Sequence, residues 1–287
     1  MYQKIILGTA QFGMKYGISN STGKISSSEI FKILNFLKKK KIKSLDTASS
    51  YSKSEKEIGN YFKKKKNKFR VITKFSFRNH NSISKQFSNS FKTLGYLPDT
   101  ILAHSSKDYL NPIFHKEIKQ IRKKYYIKNI GVSLYNVKEL EKVLKFKKPD
   151  IIQVPINILD QRFLNKRTIK LLKKKSIKIF GRSIFLQGLF FKKEKFIYRK
   201  FKNIKTIYKK LISIASAEKM SISELSLNWA YNLKEIDKII IGIDCLSHLK
   251  KNLSTIERKI SKKGNKEIKE INIKNNIIIK PNLWQIR

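Results

Sequence analysis

Short apolar runs alternate with amphipathic segments almost without interruption along this chain, and that rhythm limits what it can fold into. Strands that are apolar along their whole length belong to a parallel sheet with helices packed over it. Predicted strands fall at residues 4–7, 44–47, 69–74, 100–104, 129–133, 150–155, 177–183 and 238–242. Predicted helices follow at 26–41, 54–65, 82–94, 112–125, 137–146 and 163–175. After a longer excursion come helices at 204–218 and 222–232, and a closing helix at 247–259. The first helix opens on Ser26-Ser27-Ser28-Glu29, which reads as a capping box.

About eight such units in 287 residues point to an α/β fold of the TIM (β/α)8 barrel type, in a single domain. An open dinucleotide-binding sheet would need a G-x-G-x-x-G turn after its first strand. The turn here is Gly8-Thr9-Ala10-Gln11-Phe12-Gly13, and its glycines have the wrong spacing. The barrel is assigned to residues 1–263. The Lys- and Asn-rich stretch 264–287 is expected to pack as a tail on the barrel surface or rim.

Composition decides several exclusions. No apolar run approaches the roughly 18 residues of a membrane span. The N-terminus reads as a strand rather than a secretory signal, so a cytoplasmic location is expected. One cysteine, Cys245, rules out an internal disulfide and a cysteine-based zinc cluster. The net charge of +45 raises nucleic-acid binding as a reading. Of the 65 basic residues, however, 56 are Lys and 9 are Arg. The Lys runs are scattered over helix tails and turns, and Arg is the residue expected at bidentate phosphate and base contacts. Abundant Lys, Ile and Asn together suggest a coding bias toward A and T. A nucleic-acid or membrane partner is therefore not expected, and the oligomeric state is left open.

Four residues at strand ends carry the chemistry. Asp46 closes the second strand, Tyr51 follows in a Ser-rich turn, Lys74 ends the third strand, and His104 ends the fourth. If these strands are parallel neighbours, the four side chains converge on one mouth, a set suited to proton transfer to a carbonyl oxygen. His80 and His115 sit in loop or helix contexts and are read as structural or exposed.

With these motifs in place, the chain resembles the aldo-keto reductases over roughly residues 4–252. The resemblance rests on Leu45-Asp46-Thr47-Ala48 with Tyr51 and Ser54-Glu55, on Thr73-Lys74, and on Leu102-Ala103-His104. Gly131-Val132-Ser133, Ile152-Gln153, Arg182-Ser183 with Leu186-Gln187-Gly188-Leu189, Ile240-Ile241-Gly242 and Asn252 follow in the family's order. The opening through Tyr16-Gly17 is similar to bacterial members associated with surface-sugar biosynthesis. The resemblance implies reduction of a small aldehyde or ketone with NADPH, NADH being the alternative. In it Tyr51 is the general acid, Lys74 lowers the Tyr51 pKa, Asp46 holds Lys74, and His104 orients the carbonyl.

The same resemblance implies a cofactor track. Thr9, Asp46, Ser133 and Gln153 lie toward the nicotinamide end. Arg182 stands where many members place a stacking aromatic. Ser183, Phe185, Gln187 and Gly188 lie along the pyrophosphate. Gly242, His248 and Asn252 reach the adenosine end, where Asp244 would repel a phosphate. Phe12, Tyr16 and Trp284 are substrate-side candidates beside Tyr51 and His104. The rival readings are a non-catalytic cofactor-sensing barrel, a nucleic-acid-binding protein, and an isomerase or dehydratase using the same mouth.

Overall fold

The computed structural model describes residues 2–65, 68–77, 82–271, 273 and 277–284; His80 lies outside them. Eight strands are β1 (Ile5–Gly8), β2 (Ser44–Asp46), β3 (Arg70–Phe75), β4 (Thr100–Ala103), β5 (Asn129–Ser133), β6 (Ile151–Pro155), β7 (Lys178–Arg182) and β8 (Lys238–Ile241). Each pairs in parallel with the next, and β8 pairs with β1, which closes the barrel. The fold is the single (β/α)8 barrel expected from the sequence.

Side chains alternate across a strand with a period of two, and this sorts the core into two regions. Ile6, Ile72, Leu102, Ile151, Phe180 and Ile240 pack together as a layer inside the barrel. Their flanking neighbours, such as Ile5, Leu7, Val71, Ile101, Ile152 and Ile239, belong to the larger cluster under the helices. One period further along each strand, toward its C-terminal end, the same inward face carries Gly8, Lys74, His104, Gln153, Arg182 and Gly242. The polar layer thus sits directly over an apolar floor. Gly131 on β5 keeps that floor closed: a Cβ there would lie 2.2 Å from the Ile151 carbonyl oxygen and 2.7 Å from Leu102.

The helices around the barrel begin where side chains can cap them. Ser26, Ser82, Asn111, Asn136, Asn165, Ser221 and Ser261 each accept from a backbone N–H two or three residues on. Two local expectations are corrected. The capping box at Ser26 is half formed: Ser26 accepts from Glu29 N, but Glu29 Oε1 accepts from Leu246 N at 2.8 Å. The reciprocal box occurs instead at Ser221 and Glu224. The helix expected from residue 163 starts at Lys166, because Asn165 caps it while Phe163 is fully buried.

A helix not anticipated from the sequence, Lys262–Lys269, lies beyond the closing helix Leu246–Thr255. Further on, Ile278 is buried, Trp284 Nε1 donates to Ile277 O at 2.9 Å, and the Trp284 ring stands 5.4 Å from Phe201. No described helix is long and apolar enough to cross a membrane.

Candidate active site

At the C-terminal ends of the strands a cavity of about 740 Å³ opens over the polar layer. It is within the roughly 300–1,000 Å³ typical of ligand sites. Asp46, Tyr51, Lys74 and His104 all line it, and so does every cofactor-side residue singled out above, from Thr9 through Arg182 and Gly188 to Asn252. Tyr16 lines it as well. Phe12 and Trp284 do not: Phe12 is fully buried in the outer core, and Trp284 packs on Phe201.

The centre of the site is a buried ion pair. Lys74 Nζ donates to Asp46 Oδ2 at 2.6 Å and to the Thr47 carbonyl at 2.8 Å. Asp46 Oδ1 accepts from Gln153 Nε2 at 2.8 Å. One carboxylate thereby ties together β2, β3 and β6. Lys74 Nζ also stands 5.1 Å from the centre of the Tyr51 ring, and the His104 ring meets that ring edge-on at 6.0 Å. Ser50 Oγ lies 3.3 Å from His104 Nδ1.

A buried hydroxyl cluster fixes the turn that carries Tyr51. Ser54 Oγ contacts Thr9 O and Thr9 Oγ1 at 2.8 Å each and Thr47 Oγ1 at 3.1 Å, while Thr9 Oγ1 donates to Asp46 O at 3.0 Å. Gly13 lets the first loop close on that turn, since a Cβ would fall 1.8 Å from Tyr51 O. Glu55, next along, is buried and forms no ion pair among the described residues. It accepts from Thr73 Oγ1 and Ser90 Oγ at 2.7 Å each, which anchors the strand residue just before Lys74.

The electrostatics correct one expectation. Burial, followed by the Asp46 charge, pushes Tyr51 above the ordinary phenol range. The Arg182 guanidinium opposes this shift without reversing it. Burial lowers the Lys74 ammonium from its usual value, and Asp46 opposes that shift. Tyr51 therefore keeps its proton at neutral pH.

The wall after β7 is strained. Ser183, Leu186, Gln187 and Gly188 all have positive φ, at 61°, 48°, 50° and 90°. Non-glycine residues enter that region at a cost, and runs of them cluster at functional sites. The run is held from outside. Gln187 O accepts from Ile18 N at 2.9 Å, Asn157 Nδ2 donates to Ser183 O at 3.1 Å, and Ser226 Oγ donates to Ile184 O at 2.7 Å. Arg182 spreads its guanidinium 4.4 Å over Tyr135 and donates to Leu134 O and Ser183 Oγ, both at 3.2 Å. Its Nε is buried with no partner among the described residues.

Comparison with known proteins agrees with this geometry. The family model described as the aldo/keto reductase family matches residues 4–273. The chain belongs to the aldo/keto reductase family. That family is one of oxidoreductases acting on carbonyl compounds, and the match reaches past the closing helix into the stretch assigned to the tail. Solved structures of the same fold include an aldo-keto reductase from Bacillus halodurans in its holo form, with 17% identity, 95% of this chain and 93% of that chain covered, and a TM-score of 0.75. The glycerol dehydrogenase of Gluconobacter oxydans gives 18% identity, coverage of 93% and 90%, and a TM-score of 0.70. A thermostable aldo-keto reductase bound to the inhibitor epalrestat gives 21% identity, coverage of 94% and 95%, and a TM-score of 0.69. The search of curated proteins finds no significant match.

Some lining residues were missed in the sequence. Tyr135 is two positions past Ser133 and so shares its inward face, a signal that the strand period could have supplied. Ser19 and Lys192 come from loops whose paths no local pattern encodes, and Gln11 from the short helix Ala10–Gly13 that follows β1.

Proposed function

We propose that the protein reduces a small aldehyde or ketone to an alcohol with a nicotinamide dinucleotide as hydride donor. The observation that carries this reading is the buried Asp46–Lys74 pair beside Tyr51 and His104, in a cavity that continues to the start of the Leu246–Thr255 helix. The residues fit the cofactor. The amide of Gln153, fixed through its nitrogen by Asp46, leaves its oxygen as an acceptor for a carboxamide. The unpartnered Arg182 Nε and the planar guanidinium offer a polar surface for a stacked ring.

The bound cofactor supplies a hydride to the carbonyl carbon. The chain supplies the proton, its timing and the orientation of the substrate. Tyr51 is protonated at neutral pH and donates to the oxygen as negative charge builds there. The phenolate that results develops beside the Lys74 ammonium. Attraction between them appears only as the proton leaves, so it acts on the transition state more than on the resting site. Asp46 keeps that ammonium charged against burial and fixed in place. His104 donates a hydrogen bond to the carbonyl oxygen and sets its angle to Tyr51.

Tyr16, Tyr135 and His104 give the substrate end several hydrogen-bonding groups. This supports a hydroxylated carbonyl compound, such as a sugar derivative, over a purely apolar aldehyde. Turnover of an aldehyde and sugar panel, followed by loss of reduced-nicotinamide absorbance, tests the reading. Tyr51→Phe should lower kcat by about 10²–10⁴ while cofactor affinity stays within about twofold. Undiminished turnover in that variant would remove Tyr51 from the acid role. Bound cofactor with no oxidation by any reactive aldehyde would favour the sensing barrel instead.

A further inference from the structure

Resting on the cofactor reading above, we infer that this chain selects NADH over NADPH, because Asp244 puts a carboxylate in the cavity wall at the end where a 2′-phosphate would sit. The tetrad fixes the nicotinamide end of the cavity over the barrel axis. The other end is where β8 gives way to the ten-residue helix Leu246–Thr255 outside the barrel. A helix start is an electropositive seat for phosphate, with N–H groups that have no partner in the helix.

Here that seat is taken. Leu246 N donates to Glu29 Oε1 at 2.8 Å, so a carboxylate from a distant helix already uses the first N–H. Asp244, two residues ahead of Leu246, places its own carboxylate in the cavity wall. Its Oδ1 accepts from Asn20 Nδ2 at 3.0 Å. Asn20 is itself buried and locked to Gly23, accepting from its N–H at 2.7 Å and donating to its carbonyl at 3.0 Å. The carboxylate therefore cannot swing away cheaply.

The nearby cations do not reverse this balance. His248 Nδ1 is 3.9 Å from Asp244 Oδ2, and the imidazole is more than half exposed. Lys251 lines the cavity but is exposed and screened. Lys250 lies over the Phe36 ring. A ribose 2′-hydroxyl donates well to a fixed carboxylate, whereas a 2′-phosphate meets the like charge of Asp244 at a helix start whose first N–H is already used by Glu29.

The test is equilibrium binding of NADH and NADPH by tryptophan fluorescence quenching at pH 8 in physiological salt. NADH should bind at least about tenfold tighter. Asp244→Asn keeps the shape and an acceptor for Asn20. It should tighten NADPH by about tenfold or more and leave NADH within a few-fold, with circular dichroism confirming the fold. Glu29→Gln should narrow the gap in the same direction. Equal or tighter NADPH binding by the unaltered protein overturns the inference and leaves the reductase reading standing. A ratio unmoved by a folded Asp244→Asn variant also overturns it. Failure of both nucleotides to bind removes the reductase reading, and this inference with it.

Discussion

Replacing Asp46 with Asn probes the central pair without changing its size. In the native site Lys74 and Asp46 are 1% and 4% exposed, 2.6 Å apart, and Asp46 is the leading influence that holds the lysine charged against burial. Breaking a buried pair by removing one partner costs about 3–5 kcal/mol. The pH dependence makes the prediction specific. The folded pKa of Lys74 is already below its unfolded value and falls further in the variant. In the window between the two values the unfolded chain binds more protons than the folded one, so stability rises with pH there. The penalty of Asp46→Asn, measured by urea unfolding, should therefore be largest near pH 7. It should shrink toward pH 9.5 by up to about 1.4 kcal/mol per pH unit wherever only the variant's folded lysine is neutral. In parallel kcat should fall, because the charge that receives the Tyr51 phenolate is gone. A penalty that is flat or grows over this range would refute the idea that Asp46 acts by holding the Lys74 charge.

Two further outcomes follow from the geometry. His104→Ala should lower kcat by about 10²–10³ with little change in cofactor binding, read by steady-state kinetics beside fluorescence titration; a pure KM effect would reassign His104 to substrate binding. Gly188→Ala should cost more than about 1–3 kcal/mol, because φ is 90° and a Cβ would meet Ser19 Oγ at 2.1 Å. Gly23→Ala, at φ 80° with nothing within 4 Å, should cost only the backbone strain of about 1–2 kcal/mol. Equal penalties in thermal unfolding would mean that the loops holding Gly188 and Ser19 are not in firm contact.

Much of this was written in local patterns, and the exceptions have physical causes. The barrel was legible because wholly apolar strands cannot face water, so their helical cover follows. Lys74 and His104 were legible because each sits two residues beyond an inward apolar residue, Ile72 and Leu102, and the strand period carries that orientation forward. Glu29 was misread because its spacing from Ser26 fits a local cap, while its oxygen is used by Leu246 N, 217 residues away. The helix Lys262–Lys269 was missed for a related reason. Lys-Lys-Gly-Asn is a weak helical start by propensity, and it is held by the Ser261 cap and by Glu218, which accepts from Ser261 N at 3.0 Å. The pKa of Tyr51 was reversed because spacing reports which groups are near but not how little water reaches them.

Acid scarcity ties these observations together. The chain has 20 acidic residues against 65 basic ones, so a carboxylate drawn at random should be in solvent among lysines. Five are instead buried: Asp46, Glu55, Glu57, Asp108 and Asp160. Four of these hold the ends of strands or the loops beyond them. Asp46 binds Lys74, Glu55 takes the Thr73 hydroxyl, Asp108 accepts from Ser76 Oγ and Phe77 N just after β3, and Asp160 pairs with Arg162 after β6. Burying a carboxylate is costly unless its bonds are made, and here each has specific donors. In a sequence drifting toward lysine, the acids that remain inside mark where charge is needed. Of these, Asp46 lines the cavity at the C-terminal mouth of the barrel, where the carboxylate of Asp244 also lies.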